Sequence, residues 1–302
     1  MLNGVHFLLT YTCNMECDHC FLYCSPNSCG TFTINQISRI LNELKKIGTI
    51  EWIFFEGGEP FLFFPLLIEG IKRATIMGFK VGIVTNAYGA LSEEDAELWL
   101  KPLAETGVSY INISNDSLHY GDNKSNPATI AIRIAERLGI TTQPIFIEKP
   151  KVEMRQVEGE GKGSPVIGGN AKFRGRAVEK LSENLPRRQQ NELSECPDED
   201  LIDPKRVHID AYGHVQICQG ISMGNCWKTP LSELIRDYDA RKHPICGPLV
   251  HGGPIRLVEE YGLDLKDEYV DECHMCYAVR MALLEKFPQY LAPRQVYGLK
   301  EE

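Results

Sequence analysis

The chain has 302 residues, with 32 Lys and Arg against 41 Asp and Glu for a formal charge of −9, and 43% of its residues are hydrophobic. That balance is an ordinary folded composition and excludes intrinsic disorder. The acidity and the lack of a long Lys/Arg run argue against a nucleic-acid partner, because phosphate binding wants a cationic face. The length suits one large domain plus an appendage.

Val5 to Thr10 is a short apolar run that reads as a strand. Thr33 to Gln36 has the form of a capping box, and Ile34, Ile37, Leu41, Leu44 and Ile47 follow at helical spacing until Gly48 stops the pattern. Glu51 to Phe55 is a second strand. A helix follows with Pro65 in its first turn, Leu67, Ile71 and Ala74 on one face, and Gly78 at its end. Phe79 to Val84 and Val108 to Ile113 are strands around a helix at Ser92 to Ala104. Pro127 to Leu138 is helical and Gln143 to Ile147 extended. From Glu148 to Ser194 the composition turns to Gly, Lys, Glu, Arg and Gln, with EGEGKG, IGGN and PRRQQ, and predicts irregular loops. Val207 to Ile217 alternates about a glycine like a β-hairpin, and Met281 onward is expected to form a closing helix. No internal repeat is apparent. Strand-helix units with short connections predict a parallel sheet with helices outside it, closed or partly closed into a barrel.

The unusual feature is the 11 cysteines, five between Cys13 and Cys29 and six between Cys196 and Cys276. The N-terminus MLNGVHFLLTYTCNMEC lacks a basic region before its apolar run, and no stretch approaches the roughly 20 apolar residues of a membrane span. A reducing cytoplasm and no membrane are therefore expected, and in that setting clustered thiols are more often metal ligands than disulfides. Cys13, Cys17 and Cys20 form C-x3-C-x2-C directly after the first strand. Three thiolates on one tight loop can each hold a corner of an iron-sulfur cube and leave the fourth iron open. The alternative is a zinc knuckle with His19 as fourth ligand, but His19 lies between two of the cysteines, where its ring would compete with theirs.

The motif CNMECDHC, followed at the end of the second strand by Phe55-Glu56-Gly57-Gly58-Glu59-Pro60, resembles the radical S-adenosylmethionine enzymes. Both motifs fall at carboxyl ends of strands, where barrel enzymes keep their chemistry. The resemblance implies a 4Fe-4S cluster on Cys13, Cys17 and Cys20 whose open iron is chelated by the methionine part of S-adenosylmethionine. It implies one-electron cleavage of that cofactor to a 5′-deoxyadenosyl radical. Gly57, Gly58 and Glu59 would then receive the cofactor's amino group, glycine allowing close backbone approach. Thr85 and Asn86 end the third strand, and Ser114 and Asp116 the fourth, where the family places polar groups near the cofactor. Such residues are also favoured at any strand end. His19 and Phe21, beside Cys20, would pack against the adenine or belong to the core. Arg174, in FRGRAVEKL with Arg176, would hold a carboxylate; the other reading is an exposed helix start.

The second cysteine group resembles the SPASM and shorter twitch auxiliary domains of the same superfamily. Gly213 to Cys218 has the G-x4-C spacing, with Cys196 upstream and Cys273-His-Met-Cys276 downstream. No further cysteine occurs in the 26 residues after Cys276, which favours one auxiliary 4Fe-4S cluster. The interval from Cys196 to Gly213 is longer than usual, so Cys226 or Cys246 can replace Cys196; zinc on Cys218, Cys273, Cys276 and a histidine such as His274 is the alternative. Cys24, Cys29, Cys226 and Cys246 remain as buried hydrophobes or hydrogen donors to a substrate radical.

The expectation is thus an α/β protein: a partial (β/α)6 TIM-like barrel over residues 1–185 and a small α+β auxiliary domain over 186–302 with its closing helix. Its function is expected to be that of an anaerobic radical oxidoreductase or maturase that abstracts a substrate hydrogen, most simply from a peptide or protein, with dehydrogenation of a small alcohol or sugar as the second reading. The first cluster begins at residue 13, so no separate peptide-recognition domain is expected ahead of it. A flavodoxin or ferredoxin would supply electrons. A reading from another class is an iron-sulfur carrier or zinc-stabilised binding protein without catalysis.

Overall fold

The computed structural model describes residues 1–155 and 164–301; the EGEGKG run lies outside them. In chain order the elements are β1 (Gly4–Thr10), α1 (Ile34–Ile47), β2 (Trp52–Gly57), α2 (Phe64–Ile76), β3 (Lys80–Thr85), α3 (Glu93–Glu105), β4 (Tyr110–Ser114), α4 (Ser117–Tyr120), α5 (Pro127–Arg137) and β5 (Thr141–Ile145). Then come β6 (Lys151–Arg155), β7 (Ser164–Gly168), α6 (Arg176–Lys180), β8 (Arg188–Gln189), β9 (Arg206–Asp210), β10 (His214–Cys218), β11 (Ile221–Asn225), α7 (Leu231–Asp237), α8 (Cys246–Tyr261), β12 (Glu268–Tyr269) and α9 (Glu272–Leu283).

Local chemistry sets these bounds. At the start of α1 the Thr33 hydroxyl accepts from Gln36 N at 3.3 Å while the Gln36 side chain accepts from Thr33 N at 2.8 Å, and Gly48 closes the helix in the left-handed region at φ 77°. The closing helix starts nine residues earlier than expected. Asp271 caps α9 by accepting from His274 N at 2.7 Å, so Cys273 and Cys276 sit in its first two turns. Beyond Leu284 the chain runs through turns to a 3-10 turn at Arg294–Tyr297. The segment expected to be irregular also contains regular pieces, the antiparallel β6–β7 pair and α6.

An eight-stranded sheet in the order β11-β10-β9-β1-β2-β3-β4-β5 forms the centre, giving an α/β fold whose sheet is mostly parallel. Strands β1 to β5 are parallel neighbours, and β9 adds to the free edge of β1, also parallel, with His6 opposite His208. The expected 207–217 hairpin is present as β9–β10, but it extends the barrel sheet rather than forming a sheet of its own. The reason is its alternation. Val207 and Ile209 point the same way as Val5 and Phe7, into the core shared with α1, α2, α3 and α5. The opposite face carries His6, Leu8, Glu56, His208 and Asp210. A second core gathers Leu8, Tyr11, Leu22, Cys24, Cys218, Cys246, Met275 and Tyr297 between the β1 loop and the C-terminal helices.

Asp210 is fully buried at the β9–β10 turn, where Tyr11 OH and Gln216 Nε2 donate to Oδ2, both at 3.1 Å, and His214 N donates to Oδ1 at 3.0 Å. Burial outweighs these bonds and lifts its pKa to about 7. A carboxyl raised in the folded state contributes stability at low pH that is lost as pH rises through about 7. The thermal midpoint is therefore expected to fall between pH 5 and 8, and Asp210→Asn should flatten that part of the profile; an equally steep profile in the variant would remove Asp210 as its source.

No helix among the described residues is long and apolar enough to cross a membrane.

Candidate active site

The loop after β1 folds back on itself. Cys13 N bonds Ser25 O at 3.0 Å, Thr12 Oγ1 bonds Ser28 O at 2.7 Å and Phe32 N returns to Leu9 O at 3.0 Å. Cys13, Cys17 and Cys20 all lie on it. Two sulfurs accept backbone N–H groups, Cys13 Sγ from Met15 and Cys20 Sγ from Cys24, both at 3.4 Å. Hydrogen bonds from Cys24 draw the Cys20 thiol down to about 6, whereas burial pushes Cys13 and Cys17 up to about 12, so metal binding there must displace protons.

The Gly57-Gly58-Glu59 segment presses directly on this loop. Gly57 has φ 126°, and a Cβ there would sit 2.4 Å from Thr10 O; a Cβ on Gly58 would sit 2.1 Å from Thr12 O. The close approach that requires glycine is therefore to β1's own exit. Gly58 N and Glu59 N bond Thr10 O and Thr12 O at 2.7 and 3.0 Å. Gly58→Ala should push the loop off the strand ends and lower iron retention by the first cysteine group several-fold, measured as iron per chain after desalting; unchanged retention would show that the loop is set elsewhere.

Glu59 is fully buried and accepts from Thr85 Oγ1 at 2.7 Å, Asn86 N at 2.8 Å and Phe61 N at 3.0 Å. Burial raises its pKa to about 7 in spite of these donors. Asn86 also reaches Asn14 Oδ1 at 2.9 Å and approaches Cys13 Sγ at 3.9 Å. Thr85 and Asn86 thus tie the end of β3 to both motifs. Asp116 caps α4, accepting from Leu118 N and His119 N, and its Oδ1 lies 2.8 Å from His119 Nδ1. The His119 ring meets the His19 ring at 4.9 Å, edge to face. Burial, then His119, lowers the His19 pKa to about 4, and its Nδ1 has no hydrogen-bond partner. Sequence reasoning missed His119; its signal was the Asp-x-x-His spacing at a helix start. Ser114 ends β4, half-buried.

The 174–176 segment joins the two cysteine groups. The buried Arg174 guanidinium does meet a carboxylate, Glu199 at 3.8 Å, but one of the protein's own; it also donates to Cys218 Sγ at 3.0 Å and stacks over Phe21 at 5.4 Å. Arg176 turns the other way, donating to Cys17 O at 2.8 Å and Cys24 O at 2.9 Å. Gly175 between them has φ 61°, and a Cβ there would meet the Phe21 backbone at 2.6 Å. Phe21 is accordingly packed between this segment and the loop.

Cys196, Cys218, Cys273 and Cys276 line one cavity together with Arg174 and Arg280. Arg280 is 1% exposed, donates to Gln219 O at 2.7 Å and Tyr297 OH at 3.3 Å, and forms no ion pair with a described carboxylate. A buried guanidinium without a counter-charge costs several kcal/mol; anionic thiolates beside it would offset that cost. Cys246 is fully buried at the start of α8 behind this cavity, Cys226 lies in the helix-facing core, Cys24 backs onto Cys20, and Cys29 is exposed. A four-coordinate zinc with Zn–S of about 2.3 Å holds its sulfurs about 3.8 Å apart. Among the described residues the three-ligand groups with all atoms within 4.8 Å are His6–Glu56–His208 and His19–Asp116–His119; no cysteine group closes that tightly.

Residues 7–142 match the model of the Radical SAM superfamily, so the chain carries a radical SAM domain. Such a domain implies a 4Fe-4S cluster and S-adenosylmethionine as cofactors. The chain is 22% identical over 250 residues to the putative peptide biosynthesis protein YydG of Bacillus subtilis, covering 82% of this chain and 70% of that one. It is 30% identical over 157 residues to the tungsten-containing aldehyde ferredoxin oxidoreductase cofactor-modifying protein of Pyrococcus furiosus, covering 52% and 40%. Among solved structures it resembles BtrN in complex with AdoMet and 2-DOIA, with a TM-score of 0.50 and 16% identity over 78% of this chain and 82% of that one. That likeness is one of fold.

Proposed function

We propose that this chain is a radical maturase that abstracts a hydrogen from a peptide or protein substrate and passes the resulting electron to an auxiliary 4Fe-4S cluster. In this reading residues 1–185 carry the radical chemistry and 186–302 the auxiliary site. Cys13, Cys17 and Cys20 hold the first cluster, which with S-adenosylmethionine supplies the 5′-deoxyadenosyl radical. Cys196, Cys218, Cys273 and Cys276 hold the second, with Cys196 preferred to Cys226 or Cys246 because it shares the cavity with the other three. Gly57 to Glu59, with Thr85 and Asn86, frame the cofactor's amino end, and His19, Phe21, Ser114 and Asp116 its nucleoside side. Electron transfer to the auxiliary cluster returns no hydrogen to the substrate, so the buried Cys24, Cys226 and Cys246 have no donor role in this route. A flavodoxin or ferredoxin is the proposed reductant, in an oxygen-poor cytoplasm.

The observation that carries the coupling of the two sites is the Arg174–Arg176 segment. One guanidinium holds the first cysteine loop and the other a sulfur of the second group, so the radical site and the electron acceptor are braced by three consecutive residues. The peptide reading is supported by the likeness to YydG, whose name assigns it to peptide biosynthesis. The test is to incubate the iron-loaded chain with dithionite, S-adenosylmethionine and any short peptide encoded beside its gene, and to follow peptide mass. A mass change that requires all three components is expected; unaltered peptides, with turnover of a small alcohol or sugar instead, would replace this substrate class.

A further inference from the structure

Away from both cysteine groups, on the face of the sheet turned from the helices, three adjacent strands bring together His6 of β1, Glu56 of β2 and His208 of β9. His6 Nδ1 lies 3.1 Å from Glu56 Oε2 and His208 Nε2 lies 3.3 Å from Glu56 Oε1, with side-chain exposures of 17%, 16% and 4%. One ligand atom from each residue falls within 4.8 Å of the others. Although His6 Nδ1 approaches the carboxylate so closely, it makes no hydrogen bond, and His208 Nδ1 is buried without a partner. Converging lone pairs at this spacing are what a small cation requires. With metal–nitrogen and metal–oxygen bonds of about 2.0–2.1 Å, a tetrahedral ion holds its ligand atoms about 3.3 Å apart.

We propose that His6, Glu56 and His208 form a binding site for a divalent first-row transition ion, zinc above all, separate from the iron-sulfur chemistry. Two imidazoles and one carboxylate are a donor set that suits zinc and leaves a fourth position for water. Access is open on one side: His6 lines a cavity with Trp52, Phe54 and Tyr110, edged by Lys205 and Arg206. Phe54 stacks on His6 at 4.7 Å and fixes its ring plane. The charge balance agrees, since the imidazoles keep the Glu56 carboxyl below its usual range against the effect of burial, while burial lowers His208 and favours the neutral form that ligates. The ion would join β9 to β1 and β2. It would pin the C-terminal hairpin to strands that precede His208 by 202 residues at His6 and 152 at Glu56, at the seam where the sheet is extended.

The test uses the full chain with its iron loaded anaerobically, dialysed against micromolar zinc. About one zinc per chain is expected beyond the iron, with an X-ray absorption shell of nitrogen and oxygen only at about 2.0 Å. His6→Asn with His208→Asn should weaken zinc binding by roughly 100-fold or more and abolish the zinc-dependent rise in thermal midpoint, with iron content and S-adenosylmethionine cleavage kept. Should that double variant fail to fold, the wild-type absorption shell decides alone. No bound zinc, zinc retained by the folded double variant, or sulfur at about 2.3 Å in the shell would overturn the assignment.

Discussion

Cys17→Ala is expected to abolish release of 5′-deoxyadenosine, a loss of at least about a thousandfold, and to reduce bound iron from about eight atoms per chain to about four. The loss is chemical rather than structural. Cys17 ties the loop through its carbonyl, which accepts from Arg176 Nη1 at 2.8 Å and from Cys20 N at 3.1 Å, and alanine keeps that carbonyl. Only the sulfur disappears. Circular dichroism and the four irons of the second group should therefore survive. A variant that still cleaves S-adenosylmethionine would show that the three cysteines are not the site of the radical cluster.

Cys276→Ala is expected to give the complementary result. The second group should lose its four irons and product formation should fall to background, while 5′-deoxyadenosine release continues. Cys276 lies in the first two turns of α9 and lines the cavity with Cys196 and Cys218. Its removal also leaves Arg280 buried with less negative charge nearby, since Cys276 is among the groups holding that guanidinium charged. A fall in thermal midpoint of several degrees should accompany the iron loss. Product formed at the wild-type rate by an iron-depleted variant would remove the auxiliary cluster from the reaction.

Much of the fold was legible because local and global signals agree in the first half. The capping box at Thr33, the short apolar run from Val5 to Thr10 and the glycine stops at Gly48 and Gly78 each fix an element without tertiary help. The neighbour of β9 was not legible, because a strand pattern specifies which face is buried but not which edge it joins. Met281 misled the placement of α9 because the apolar run there is stronger than the cap ten residues before it. At the site, CNMECDHC and GGEP were readable as contiguous motifs. Two features depend on folding alone: Arg174 meets Cys218 across 44 residues, and His6, Glu56 and His208 converge from three strands. Gly57 and Gly58 were read as allowing close approach to a ligand, yet their nearest neighbours are Thr10 and Thr12.

The most direct test of the central claim is anaerobic reconstitution of the wild-type chain with iron and sulfide, followed by dithionite and S-adenosylmethionine. About eight irons per chain and release of 5′-deoxyadenosine are the predicted result. A fully iron-loaded chain that releases none, or one that takes zinc on its cysteines in place of iron, would contradict it.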